Sequence, residues 1–321
     1  MSSNYVQNIA VVGAGGTQGK FVAEELVKTG KHKVTAITRA DSSGKIPDGV
    51  ASKVVDYNDT SSLVEALRGQ DVLIITMAVT APKDTQQKLV DAAKEAGVKI
   101  VLPNEWGYDQ DRNASFAKEN LIGERIIQAR EYVTSKGLPF IGICGGFWYE
   151  FSLGGGEVRY GFDIANRQFT RFDDGNIKLS TSTWEQVGRG TAALLSLKLN
   201  RDNENDKEPV ISDYFNKSVC IESFNVSQND MFESLKRVTG TTDADWKITT
   251  ENSQERYFRG LGLLKEGNFA GFAIGLYTRA FYPDSAGTMP NTVNKTFNLP
   301  QEDLDECTKG AIEFAKTTKG Y

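Results

Sequence analysis

The feature that most restricts this chain is the run Gly13, Ala14, Gly15, Gly16, Thr17, Gln18, Gly19. It sits where a short β-branched stretch, residues 8–13, gives way to an amphipathic one, residues 17–28. Glycines at 13, 16 and 19 of such a junction allow a sharp turn, an approachable backbone and close packing of helix on sheet. The rhythm then repeats. Strands are expected at 33–38, 52–56, 71–76, 98–102 and 139–144, with helices at 61–68 and 84–96 and a longer one ending at Gly137. Strands alternating with helices and bounded by Gly or Pro require a parallel, doubly wound α/β sheet with right-handed crossovers.

After Cys144 the rhythm breaks. Residues 145–156 are glycine-rich and loop-like, and residues 167–179 read as a hairpin around Asp174 and Gly175. A strand is expected at 217–224, and helices at 184–197, 227–238, 254–264, 269–282 and 302–316, with an exposed polar loop at 200–208. The expected organisation is a nucleotide-binding domain at 1–150 of Rossmann type. A smaller mixed α/β region at 151–321 would bind substrate, with segments able to return and pack on the first sheet.

Composition removes several classes of function. Lys and Arg number 37 against 42 Asp and Glu, and no basic stripe is present, so nucleic acid is not an expected partner. The apolar runs are too short to cross a bilayer, and the N-terminal residues do not form a signal peptide, so a cytoplasmic protein is expected. Cys144, Cys220 and Cys307 lie more than seventy residues apart, which gives neither a disulfide framework nor a zinc motif. The single histidine, His32, excludes multi-histidine metal sites and removes most other histidine-dependent chemistry. The sequence does not choose between monomer and homodimer.

The glycine loop reads as a dinucleotide cradle, with the following helix offering unpaired N–H groups to a pyrophosphate. The end of the second strand selects the dinucleotide. An acid there would bind the ribose 2′-OH, whereas this chain has Arg39 with Lys45 nearby, which suits a 2′-phosphate and therefore NADPH/NADP+.

The glycine loop, Thr38-Arg39 and the run Pro103, Asn104, Glu105, Trp106, Gly107 with Asp109 together resemble the NmrA-like and isoflavone-reductase-like family of atypical short-chain dehydrogenase/reductases. That family has Pro-Ser-Glu-Phe-Gly at the corresponding place. Residues 183–190 and 225–228 resemble its helix starts in the second half. The resemblance implies that Gly13, Gly16, Thr17, Gln18, Gly19 and Arg39 bind cofactor. It also implies that Met77, Ala78, Val79, Gly145, Gly146 and Phe147 line the nicotinamide ribose and ring.

Carbonyl or enone reduction needs a proton as well as a hydride. Tyr132 and Lys136 have the Tyr-x-x-x-Lys spacing but fall in the last turn of their helix, on the wrong edge of the sheet. Isoflavone-reductase relatives carry a lysine about eleven residues before the helix-ending glycine. Here that position falls at Arg125 and Ile126, and arginine cannot serve as a general base. The expected donors are therefore Lys118, Tyr108 and Tyr149, and the expected substrate-pocket residues are Glu105, Trp106, Phe147, Trp148 and Tyr149. The leading expectation is an NADPH-dependent reductase of a small apolar or aromatic metabolite. The alternative is an NADP(H)-sensing regulatory protein with little or no catalysis.

Overall fold

A computed structural model describes residues 4–317. Its first half contains β1 (Asn8–Val12), α1 (Thr17–Lys28), β2 (Lys33–Thr38), β3 (Ala51–Val54), α2 (Thr60–Leu67) and β4 (Val72–Ile75). It continues with α3 (Thr85–Ala96), β5 (Ile100–Leu102), α4 (Ala114–Glu119), α5 (Gly123–Ser135) and β6 (Ile141–Cys144). Five strands form a parallel sheet in the order β3-β2-β1-β4-β5, and a bridge between Val101 and Phe140 leads on toward β6. The period-2 pattern of β1 explains the layering. Ile9 and Val11 pack with Val22, Ala23 and Leu26 of α1, while Ala10 and Val12 pack with Leu63 of α2 and Leu89 of α3. Both faces are covered, so the strand is apolar from Ile9 to Val12.

The second half contains β7 (Phe147–Trp148), α6 (Tyr149–Leu153), β8 (Phe162–Asp163), β9 (Gln168–Phe172), β10 (Lys178–Ser182) and α7 (Trp184–Leu195). Then come β11 (Lys217–Cys220), β12 (Phe224–Ser227), α8 (Gln228–Thr239), β13 (Lys247–Glu251), α9 (Ser253–Lys265), α10 (Ala270–Arg279) and α11 (Leu304–Thr317). Strand β11 lies parallel to β6, and α7 packs along α1, where a Cβ on Gly188 would stand 2.7 Å from the Phe21 carbonyl oxygen. Two small sheets, β12-β10-β7 and β13-β9-β8, carry an aromatic core in which Phe162 stacks on Phe169 with centroids 4.4 Å apart.

Three sequence expectations are corrected. The longer helix before Gly137 is two helices, because Asn113 caps α4 and the Asn120 side chain accepts from Ile122 N–H, ending one helical path and opening another. The hairpin at 167–179 does not form. Asp173 (φ 51°) and Gly175 (φ 72°) turn the chain, but β9 pairs with β8 and β13 while β10 pairs with β12 and β7. The strand at 217–224 is divided between two sheets, β11 beside β6 and β12 beside β10.

Candidate cofactor site and its neighbourhood

The glycine loop joins β1 to α1 at the carboxyl edge of the sheet. Gly13 has φ +81°, and a Cβ there would collide with the Thr76 carbonyl at the end of β4. A Cβ on Gly19 would collide with the Gly13 carbonyl, so these two glycines close the loop against the sheet. Gly16 differs. It is exposed, it donates its N–H to the Gly13 carbonyl at 2.8 Å, and it begins α1 without any side-chain cap. The first turn of α1 therefore keeps N–H groups available to an anion. Thr17 is exposed beside it, while Gln18 is buried. Gln18 donates from Nε2 to the Trp184 carbonyl at 3.3 Å and leaves Oε1 with no partner. Arg39 at the tip of β2 is 61% exposed and pairs with Asp41 at 3.4 Å, and Lys45 is exposed on the same loop. An open anion cradle with two cations beside it fits a phosphorylated dinucleotide.

The loop after β4 is held by a residue whose role the sequence did not disclose. Asn104 accepts the Met77 N–H and donates to the Met77 carbonyl, both at 2.9 Å, which clips the ends of β4 and β5 together. Ala78 and Val79 beyond it are exposed. Half-buried Arg125 of α5 donates to the Val79 carbonyl at 2.9 Å, placing a guanidinium at this edge. Asn104 lay inside a quoted motif, and only its two-sided bonding, a tertiary fact, reveals what it does.

Two of the three expected proton donors are buried and already bonded. Tyr108 is 2% exposed, and its hydroxyl donates to the Ser180 carbonyl at 2.9 Å. Tyr149 is fully buried, with its hydroxyl 2.7 Å from Thr308 Oγ1. Burial pushes both phenols above their ordinary range. Lys118 is exposed on α4. Tyr132 and Lys136 both bind Asp91, the lysine at 2.6 Å, at the far end of α5.

The expected substrate wall changes in the same way. Glu105 is 1% exposed and receives a two-pronged contact from Arg130, which also binds Asp111 and Ser218. Burial lifts the Glu105 carboxyl, and Arg130 opposes that lift. The carboxylates around the Arg130 guanidinium hold it protonated. Trp106 is 7% exposed and donates from Nε1 to the Ile75 carbonyl at 3.0 Å, so it is a strut under β4. Gly145 and Gly146 are buried, with their N–H groups spent on the Trp106 and Gly107 carbonyls. A Cβ on Gly146 would collide with the Ser180 carbonyl, so packing against β10 explains that glycine. Only Phe147 and Trp148 remain half-buried. Phe147 stacks on Tyr277 with centroids 4.0 Å apart. A cleft of about 270 Å³ lies elsewhere, lined by Asp109, Asp111, Arg112, Cys220, Met289, Pro290 and Asn291, none of them an expected pocket residue.

With this geometry in view, residues 6–153 match the NmrA-like family. Along nearly its whole length the chain is similar to oxidoreductase aprR of Aspergillus flavus, at 28% identity over 308 residues, covering 93% of this chain and 96% of that one. It is 35% identical over 160 residues to isoflavone reductase homolog P3 of Arabidopsis thaliana, covering 44% of this chain and 49% of the relative. That second likeness therefore spans about half of the plant protein. Among solved structures, AtPrR2 with NADP+ and (+)pinoresinol has the same fold, with a TM-score of 0.72 at 19% identity, covering 95% of this chain and 98% of that one.

Proposed function

We propose that the protein is an NADPH-dependent oxidoreductase that reduces a small apolar or aromatic metabolite. The observation that carries this is the open glycine cradle at the uncapped start of α1, with Arg39 and Lys45 beside it. The full-length likeness to a fungal oxidoreductase supports it. Residues 13–19 and the first turn of α1 hold the pyrophosphate, and Arg39 with Lys45 holds the 2′-phosphate. Residues 77–79, clipped by Asn104 and Arg125, would border the nicotinamide half. The dinucleotide supplies the hydride when bound.

The chain's own contribution is positioning and charge. Arg125 stabilises negative charge that develops on a substrate oxygen near Val79. Tyr108 and Tyr149 are spent in the core, which leaves exposed Lys118 or water at the open edge to supply the proton for that oxygen. The burial of two of the three expected donors is also what favours the second reading, a dinucleotide-sensing regulator.

The deciding experiment is a fluorescence titration of the full chain with NADPH, NADH and NADP+, followed by a screen of carbonyl, enone and aromatic-ether compounds for NADPH consumption. Tight NADPH binding with turnover supports the enzyme. Tight binding without any turnover transfers the reading to the sensor, and no binding ends both.

A further inference from the structure

The loop between β2 and β3 rests directly on the glycine loop. A Cβ on Gly15 would lie 2.8 Å from the Gly44 carbonyl carbon, and one on Gly44 would lie 2.7 Å from the Gly15 oxygen. Neither residue has a positive φ, so backbone conformation does not demand glycine at either place. The contact demands it, since two backbones meet with no room for a side chain between them. Beyond Gly44 the loop is anchored by buried Pro47 and by Ile46 and Val50, which pack on the same core as β1 and α1. Before Gly44, the Ser42 N–H returns to the Arg39 carbonyl at 3.2 Å. Arg39 and Lys45 thus flank a point at which this loop touches the cradle.

We propose that Gly44 sets the preference between the two dinucleotides. By seating its loop on Gly15, it holds Arg39 and Lys45 around a phosphate ester on the adenosine ribose. NADH lacks that phosphate and gains nothing from the arrangement. The inference rests on the cofactor reading above and adds a positioning residue that touches no cofactor atom through a side chain. Arg39 is paired with Asp41 across an exposed 3.4 Å contact, which is weak enough for a phosphate dianion to replace it. A side chain at position 44 lifts the loop and carries both cations outward, while Gly13, Gly16 and Gly19 keep the pyrophosphate cradle intact.

The test is an equilibrium titration of the full chain with NADPH, NADH and adenosine 2′,5′-bisphosphate, comparing wild type with Gly44→Ala and Gly44→Val, with thermal melts of each. In Gly44→Val the Kd for NADPH and for the bisphosphate rises about tenfold or more, while that for NADH stays within about threefold. Gly44→Ala gives a smaller change of the same kind, and it carries the test if the valine variant melts early. A folded variant whose NADPH-to-NADH ratio is unchanged overturns the role of Gly44 and leaves the cofactor reading standing. Equal weakening of both dinucleotides overturns it as well. A wild type that binds none of the three ligands overturns the cofactor reading itself.

Discussion

Two stretches of the carboxyl edge use their polar residues in opposite ways. At the glycine-loop end, Gly16, Thr17, Arg39 and Lys45 are exposed, and α1 starts without a side-chain cap. At the end formed by β5, β6 and β7, Glu105, Trp106, Tyr108 and Tyr149 are all buried, and each is bound to another part of the protein. A binding surface must keep donors and charges in reserve for its ligand. A core must leave none unspent, because an unpaired buried group costs more than its hydrogen bond returns. Residue type alone would assign the second group to catalysis. Burial and partners assign it to structure.

The largest test of that contrast is Glu105→Ala. It leaves Arg130 buried without its main partner and should lower stability by about 3–5 kcal/mol in urea denaturation. A variant that stays stable but loses NADPH turnover would return Glu105 to the reacting site. Next comes Glu150, whose carboxyl is pushed up to about 7 by burial. It faces Glu302 and Glu185, with Arg189 and Cys307 also nearby. A folded-state value above the unfolded one gives stability that is complete below about pH 4.3 and lost as pH rises through about 7. Glu150→Gln should remove that loss, leaving the variant about 2 kcal/mol more stable than wild type at pH 8 and no more stable at pH 4. Melting curves across this range decide the matter, and parallel profiles would refute it.

At the other end, Arg39→Ala should weaken NADPH about tenfold, equivalent to about 1.4 kcal/mol, with little change for NADH. Equal affinities for the two dinucleotides in wild type would show that the exposed cations do not read the 2′-phosphate. The smallest effect is expected for Tyr149→Phe. Losing the bond to Thr308 should cost about 1 kcal/mol of stability, with NADPH affinity unchanged. A selective loss of turnover there would break the contrast.

The first half was legible because its information is local. Continuous apolar strands, the spacing of Gly13, Gly16 and Gly19, and Asp59 before α2 each specify their element within a few residues, and Asp59 does accept from Ser61 N–H at the start of that helix. The division of residues 113–137 into two helices was less legible, because Asn113 and Asn120 act through side-chain bonds that periodicity does not register. In the second half, strands of two to five residues carry too little pattern to choose partners. Phe169 and Phe172 lie in one sheet and Lys178 to Ser182 in another, a choice settled by tertiary packing.

By itself, then, the sequence determined a parallel doubly wound sheet with an anion cradle and a cationic strand tip, since turn geometry, periodicity and charge are properties of neighbouring residues. Tertiary structure alone decided which polar side chains stay available. Glu105 meets Arg130 across 25 residues, Tyr149 meets Thr308 across 159, and Gly15 meets Gly44 between two loops. Whether a group is spent or free depends on what the fold brings against it, and that is not written in its neighbours along the chain.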